Sequence, residues 1–195
     1  MKLLFSLVLS AIFLVPASAH AQIGLYINPV ASRISTSKAD TGTFAFLGDG
    51  NTSAWFEGVN IGGYYDRYHL KTVDVGFDFR DTYQGSNNAR LNDFFVGARV
   101  VSKNLMGPMW RPYVQLSGGA ATTRAPHSTI RTTRGAWGVF VGADYKLNRI
   151  VNVRAFEVGY GTVTTISSAT VGSAATSLPS SNQFQVSAGL VFRIR

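Results

Sequence analysis

Few residues of this chain are of the types that carry out acid–base or nucleophilic chemistry. Its 195 residues include three histidines and no cysteine, which excludes a disulfide framework, a zinc–thiolate site and thiol catalysis. The carboxylates are scattered over many segments, so no metal-ligand cluster is predicted. The Gly118-Gly119 pair lies inside a predicted strand and not in a phosphate-binding loop. We therefore expect neither a metal nor another cofactor.

The segment around His127 is the one candidate for activation of a hydroxyl group. Ser128 follows it directly and Thr129 lies two residues on, and a histidine beside a hydroxyl can act as its general base. Side chains one residue apart on a strand point to opposite faces, and Thr129 stands on no clear strand, so we favour a loop residue over a catalytic one. His69 is interpreted as a solvated turn residue, with only Asp66 as an acidic neighbour.

The segment that contains His127 is also basic. Its positive side chains are Arg124, His127, Arg131 and Arg134, in a chain whose formal net charge is +8 at pH 7. Guanidinium groups at a surface bind phosphates and acidic polymers. An ordinary solvated loop is the equal alternative, and the sequence leaves both open.

Residues 1–21 have the three-part layout of a secretory signal peptide. Met1-Lys2 is a short positive start, Leu3 to Val15 is apolar, and small-x-small cleavage sites end at Ala19 and at Ala21. An apolar run of about 13 residues is short for a helix that spans a bilayer, which needs roughly 20. We predict one domain over 22–195 that leaves the cytoplasm, and export makes a nucleic-acid partner unexpected.

The remaining composition is typical of an all-β protein, with 14% charged residues, 12% aromatics and 20 glycines. We predict eight strands, at about 22–33, 53–66, 69–81, 90–103, 111–123, 134–147, 150–162 and 182–195. Most of them alternate between apolar and polar residues over roughly ten positions, as strands of a transmembrane barrel do. Pro29 predicts a bulge or a strand end, and Glu57 interrupts an apolar face, which predicts a bulge or a rim position.

The alternation places charged residues on one face of the sheet. In the third strand Val75 and Phe77 alternate with Asp74 and Asp78. The charged residues of the polar face are Asp74, Asp78, Arg80, Arg99, Asp144, Lys146, Glu157 and Arg193. If this face lines a narrow lumen, charges of both signs should pair, because an isolated buried charge is costly. A salt-bridged plug is favoured over a gated ion path or a small polar site.

Glycines indicate which face is concave. Six of them share the polar face: Gly76, Gly97, Gly138, Gly142, Gly159 and Gly189. The interior of an eight-stranded barrel is only just wide enough for side chains, so glycine is expected where space is short. The polar face is therefore predicted to point inward and the apolar face to contact lipid.

Aromatic residues near the strand ends support a membrane-facing exterior. One predicted girdle contains Tyr65, Tyr68, Trp110, Tyr113 and Tyr145, and the other contains Trp55, Tyr83, Trp137 and Tyr160. The connections are predicted to be long after the odd strands (about 34–52, 82–89, 124–133 and 163–181). After the even strands they are shorter: Arg67-Tyr68, about 104–110, and Asn148-Arg149.

The signal sequence, the eight alternating strands, the long and short connections and the apolar last strand Phe184–Ile194 together resemble the small OmpA/OmpX-type outer-membrane β-barrel family. The resemblance covers nearly the whole mature chain and implies a closed antiparallel eight-stranded transmembrane β-barrel in the cell outer membrane. It also implies insertion by the barrel-assembly machinery, which reads a terminal aromatic; here Phe192 precedes the final Arg193-Ile194-Arg195.

We expect a monomeric, non-enzymatic outer-membrane protein with a charged, plugged lumen and a structural, adhesive or surface-binding role. Its expected partners are outer-membrane lipid and lipopolysaccharide. Two alternatives remain. One is a lipid A-modifying enzyme, since some eight-stranded barrels are deacylases that use a His and a Ser two residues apart on one strand. The other is a secreted soluble barrel that binds a small apolar ligand.

Overall fold

The computed structural model describes residues 22–166 and 180–194. The predicted signal peptide and most of the predicted last long loop lie outside these residues. The chain forms eight strands: β1 (Gln22–Ser35), β2 (Ser53–His69), β3 (Val73–Ser86), β4 (Ala89–Ser102), β5 (Trp110–Arg124), β6 (Thr132–Lys146), β7 (Val151–Thr164) and β8 (Ser180–Ile194).

The eight strands form one closed antiparallel barrel. Each strand pairs with the next along the chain, and β1 pairs with β8 to close the sheet. The predicted fold class is confirmed. Ile23 and Ile194 are partners in this closing pair, so both described ends lie at the end of the barrel that carries the connections β2–β3, β4–β5 and β6–β7. We call this the turn end and the opposite one the loop end. No helix among the described residues is long and apolar enough to span a membrane.

The prediction of a long connection after β3 is wrong. β3 and β4 continue to Ser86 and Ala89, and only Asn87 and Asn88 connect them, with φ of 44° and 68°. Two consecutive positive φ values are the geometry of a type I′ hairpin turn, which asparagine tolerates better than most residues. The β2–β3 turn is also displaced, because β2 continues through the predicted turn residues Arg67 and Tyr68 and ends at His69.

The bulge or strand end predicted at Pro29 is absent. Pro29 lies inside β1 opposite Val59, and the pairing with β8 omits Asn28 and Pro29 but resumes in the same register. Glu57 is paired regularly with Ala31 on the outer face, so it is not a bulge. Its other partner, Gly85, lies two residues before the β3–β4 turn, so Glu57 occupies the alternative that was predicted, a rim position at the loop end. The register shifts elsewhere, at Asp66/Tyr68, at Ala143/Asp144 and at Arg154/Glu157.

The polar face points inward and the apolar face outward, as predicted. Phe77 and Leu116 are 58% and 62% exposed on the outer wall, whereas Arg80 and Arg99 are at most 1% exposed. At each of the six glycines of the polar face, an added Cβ would lie within 3.1 Å of another atom. A side chain at any of these positions would therefore require a neighbouring atom to shift.

Candidate functional site: the lumen and the loop end

Six charged side chains fill the middle of the lumen, and we call them the central ionic network. They are Asp78, Arg80, Arg99, Asp144, Arg154 and Glu157, each at most 1% exposed. Arg80 donates two hydrogen bonds to Glu157, at 2.8 and 3.0 Å. Asp144 accepts from Arg99 at 3.0 Å and from Arg154 at 3.0 Å. Three carboxylates therefore neutralise three guanidinium groups, which offsets the cost of burying them.

Neutral polar groups complete the central ionic network. Tyr113 donates to Glu157 at 2.6 Å and Tyr26 donates to Asp78 at 2.9 Å. Gln115 joins two members, because its amide nitrogen donates to Asp78 and its oxygen accepts from Arg80. Most lone pairs of the carboxylates are thereby engaged, and the side chains hold one another in fixed positions.

The arginines also pack on aromatic rings. The guanidinium carbon of Arg80 lies 3.9 Å from the ring centre of Phe140, and that of Arg99 lies 3.8 Å from Tyr64. Arg154 lies 4.3 Å from Tyr26. The N–H groups of a guanidinium point along its plane, and these cation–π contacts stabilise its two faces.

Strict alternation missed Arg154. It has the same parity as the outward Phe156, so the pattern assigned it to the outer face. The register shift between Arg154 and Glu157 on β7 leaves both Ala155 and Phe156 exposed and returns Arg154 to the interior. An arginine on an otherwise apolar face was the sequence signal for this bulge.

A second ionic cluster, the turn-end cluster, lies below the first. Asp74 contacts His69 at 2.6 Å, Lys103 at 2.8 Å and Arg111 at 2.7 Å. Arg111 lies 3.6 Å from Asp66. Asp74 thus belongs to this cluster and not to the central ionic network. His69 is exposed beside the β2–β3 turn, as predicted, but its acidic partner is Asp74 and not Asp66.

Two other predicted lumen residues also lie near the turn end. Arg193 is 5% exposed and donates to Gln22. Lys146 is half-buried at the end of β6 and forms no ion pair with a described residue. The structure therefore brings together Asp78, Arg80, Arg99, Asp144 and Glu157 of the predicted set, and it separates Asp74, Lys146 and Arg193 from them.

The loop-end part of the lumen contains a cluster of apolar side chains, which the sequence analysis did not predict, together with buried polar side chains such as Gln84 and Thr123. We call the buried apolar side chains the upper apolar cluster: Ile34, Phe46, Leu47, Phe56, Ala89, Leu91, Phe95, Ala121, Ala125, Ala136, Phe140, Val163 and Ile166. Two members come from the first connection, which returns into the barrel mouth, where Phe46 stacks on Phe56 with ring centres 5.0 Å apart.

One carboxylate is buried beside this apolar cluster. Asp93 is 0% exposed and lies between Leu91 and Phe95 on the inner face of β4. Gln183 donates to its Oδ2 at 2.8 Å from the other side of the lumen. Its Oδ1 accepts no hydrogen bond from a described residue.

The predicted basic loop residues are dispersed at the loop end. Arg124 ends β5 and donates to the Asn88 carbonyl oxygen at 3.1 Å, while His127, Arg131 and Arg134 are exposed. Arg90, which the sequence analysis overlooked, is the direct partner of Arg124 across the β4–β5 pair. Partners in an antiparallel pair share a face, so two arginines stand side by side on the outer wall.

No catalytic arrangement forms around His127. It makes no hydrogen bond with a described residue, and the Ser128 hydroxyl oxygen accepts from the backbone nitrogen of Ile130 at 3.0 Å. Thr129 is exposed in the β5–β6 connection and stands on no strand. Among the described residues, no group of three or more His, Asp or Glu side chains is arranged to hold a metal ion.

The outer aromatic residues differ between the two ends. Trp55, Tyr83, Trp137 and Tyr160 are each about half exposed on the outer wall near the loop end. At the turn end Tyr68 is exposed and Trp110 packs edge-on against Tyr145. Tyr113 does not belong to the girdle, because it points into the lumen and is 2% exposed.

Solved structures share this architecture at low sequence identity. Neisserial surface protein A matches with a TM-score of 0.57 and 15% identity, over 89% of this chain and 98% of that one. Ail, the attachment invasion locus protein of Yersinia pestis, matches with a TM-score of 0.55 and 12% identity, over 90% and 99%. No family model and no curated protein matches the chain. The fold is that of the small eight-stranded outer-membrane β-barrels.

Proposed function

We propose that this chain is an integral outer-membrane protein with a filled lumen, and that its loop end binds anionic glycolipid at the cell surface. One observation carries the proposal: large apolar side chains cover the outer wall while the charged residues of the central ionic network are buried inside. An exterior of this kind is unfavourable in water and favourable in hydrocarbon. Closure of the sheet pairs every strand edge, which a bilayer requires. A soluble ligand-binding barrel would have the opposite distribution.

An even number of strands puts both ends of the barrel domain on one side of the membrane, the periplasmic side in proteins of this class. The loop end then faces outward. A structural and surface-binding role suits this arrangement, because the central ionic network and the upper apolar cluster occupy the lumen.

The membrane assignment is tested by detergent fractionation with unheated and boiled gel samples. We expect the protein to need detergent for extraction and to shift in mobility on boiling, because a closed barrel resists dodecyl sulfate until it is heated. A protein that remains in solution without detergent and shows one mobility would contradict the assignment.

We infer that the protein is not an enzyme. His127 lacks a carboxylate partner among the described residues, and the nearby hydroxyl groups are not positioned for activation by it. We expect His127→Ala to leave the lipid A acylation pattern unchanged in mass spectra of cells that express the protein. If cells that express the wild type lack a lipid A acyl chain that cells with the variant retain, the deacylase alternative would be supported instead.

The Arg90–Arg124 pair supports an anionic ligand. Like charges directly opposite on a sheet are destabilising, and neither arginine forms an ion pair with a described carboxylate. Glu57 lies on the same outer face two strands away, across Gly85. A phosphate between the two guanidinium groups would remove the repulsion and accept hydrogen bonds from both. Because the pair lies at the loop end, the phosphates of lipid A are the ligand we propose.

This binding is tested with the double variant Arg90→Gln/Arg124→Gln. The matched control is Arg67→Gln/Arg149→Gln, which removes two exposed arginines at the turn end. We expect the first variant to bind lipopolysaccharide about tenfold more weakly, roughly 1.4 kcal/mol, and the control to bind like wild type. Equal binding by all three would contradict the site.

A sulfated sugar is the second candidate ligand. Ail has a crystal structure in complex with the heparin analogue sucrose octasulfate, and the loop end of this chain carries exposed cations of the type that bind sulfate. Titration of the same variants with sucrose octasulfate and with dephosphorylated lipopolysaccharide distinguishes the two. Binding of the sulfated sugar, together with equal binding of intact and dephosphorylated lipopolysaccharide, would favour this second candidate.

A further inference from the structure

We propose that the loop-end part of the lumen is a binding chamber for an aliphatic alcohol, and that Phe44-Ala45-Phe46-Leu47 forms its removable lid. The site is distinct from the outer surface and does not depend on binding of glycolipid there. Its walls are side chains of the upper apolar cluster from six strands and from the connections beside them, all buried inside the barrel.

A simple seal against ions does not account for this apolar layer. The central ionic network lies below it and already fills the lumen with paired side chains, among them Arg80, Arg154 and Glu157 at 0 to 1% exposure. Lifting the lid would therefore open a closed-ended chamber and not a pore. A closed-ended apolar space under a separable cover has the form of a ligand site.

The lid is joined to the barrel by apolar contacts. Within the described part of the chain, residues 42–51 form hydrogen bonds only among themselves and with Asp40: Ala45 N to Gly42 O, Gly48 N to Ala45 O, Gly42 N to Asp49 Oδ1, Gly50 N to Asp40 O and Asn51 N to Gly48 O. Contact with the wall is made by side chains, as in the Phe46–Phe56 stack. An apolar ligand can replace such contacts without breaking a hydrogen bond.

Glycines in turn conformations flank the lid on both sides. Gly42 and Gly48 have φ of 83° and 93°, in the left-handed region that glycine enters without steric cost. A cavity of about 90 Å³ already lies beside the lid, and its lining includes Phe46, Leu47, Lys38 and Ile166. The lid therefore leaves part of the mouth unfilled.

Asp93 defines the polar group of the ligand. Its buried Oδ1 accepts no hydrogen bond from a described residue, although Gln183 engages Oδ2. A buried acceptor without a donor is costly, so a ligand with one hydroxyl group would gain a hydrogen bond there. The distance along β4 from Ala89 at the mouth to Asp93 is about 13 Å at 3.3 Å per residue. An extended chain of about eight carbons matches this depth.

The test uses 1-octanol as the probe and the full chain in nanodiscs of deuterated phospholipid. Nuclear Overhauser effects from octanol are measured to methyl groups of Ile34 and Leu91 in the chamber, and to Val114 and Leu116 on the outer wall. We expect saturable effects at Ile34 and Leu91. Effects confined to Val114 and Leu116 would overturn the proposal, because octanol would then lie only in the bilayer.

Two variants test the lid and the polar group separately. Phe46→Ser/Leu47→Ser should raise the apparent octanol affinity about tenfold, since the closed lid competes with the ligand, and Thr43→Ser in the same loop should not. Asp93→Leu should weaken octanol binding about tenfold and leave octane binding unchanged. An unchanged octanol affinity in the lid variant would overturn the role of the lid. Equal losses of octanol and octane binding in Asp93→Leu would overturn the role of Asp93. If a variant fails to fold, the wild-type titration still decides whether the chamber binds.

Discussion

Glu157 holds two of the three buried guanidinium groups of the central ionic network. It accepts two hydrogen bonds from Arg80 and lies 3.2 Å from Arg154, and Tyr113 donates to the same carboxylate. Buried ion pairs give modest net stability, but removal of one partner leaves the other charge uncompensated in a medium of low polarity. The effect of a substitution therefore depends on what it leaves behind.

We expect Glu157→Gln to lower the free energy of unfolding by about 3–5 kcal/mol, because Arg80 and Arg154 would lose their shared carboxylate. This free energy is measured by guanidinium chloride unfolding in lipid vesicles, with the gel mobility of unheated samples as the readout. Lys146→Gln is the control, since the Lys146 side chain forms no ion pair with a described residue, and should change the value by less than about 0.5 kcal/mol. A similar small change in both variants would contradict the network's role.

Gly118 and Gly119 offer a test of which face is crowded. An added Cβ at Gly119 would lie 1.8 Å from the Phe94 carbonyl oxygen, whereas at Gly118 nothing lies within 4 Å. We expect Gly119→Ala to destabilise the barrel by about 1–3 kcal/mol through overpacking. Gly118→Ala should be neutral or slightly stabilising. The same unfolding assay compares them, and the reverse order would contradict the orientation of β5.

At the scale of elements, turns and bulges decide what the strands present to the lumen. The bulge on β7 moves Arg154 to the interior, and the shift at Ala143/Asp144 accompanies it on β6. The β3–β4 hairpin extends to a two-residue turn, which places Arg90 beside Arg124 on the outer wall. Both the central ionic network and the outer arginine pair thus depend on local departures from a regular alternation.

The Asn87-Asn88 turn is expected to be sensitive to a β-branched residue. Asn88→Val places such a residue at φ of 68°, where its side chain crowds the backbone, and should cost about 1–3 kcal/mol. Asn88→Gly should be neutral or stabilising because Asn-Gly is a favoured type I′ pair. Refolding yield into vesicles and unfolding midpoints provide the measurement. Equal behaviour of the two variants would show that the turn adopts another conformation.

At the scale of the whole molecule, the lumen has three layers. The turn-end cluster, the central ionic network and the upper apolar cluster follow one another along the barrel axis. Eight strands enclose little more space than their inward side chains need. The interior consequently acts as the core of the protein, although its middle is charged.

We expect no stepwise conductance when the folded protein is inserted into a planar lipid bilayer at moderate salt, because the described side chains fill the lumen at the level of the central ionic network. Current recordings over several hours with a general porin as positive control make the measurement. Regular current steps would show that the central ionic network opens a path for ions, and would contradict a filled lumen.

The alternation of residue types predicted the eight strands, and the glycines predicted the inward direction of the polar face. Both properties are local, because each strand's period of two and its glycines report directly on one crowded and one open side. For the same reason the inward positions of Asp78, Arg80 and Arg99 were predictable. Antiparallel closure was implied by the resemblance to outer-membrane barrels.

Only the tertiary structure decided which inward residues meet. Arg154 joined the central ionic network through a bulge, Tyr113 turned inward, and Asp74 paired with His69 at the turn end. Phe46 and Leu47 entered the lumen from a loop that has no strand pattern. These placements depend on register, shear and packing among distant strands. An alternating pattern assigns a residue to a face, but it does not predict how far along the barrel axis the residue lies or which residues it meets across the lumen.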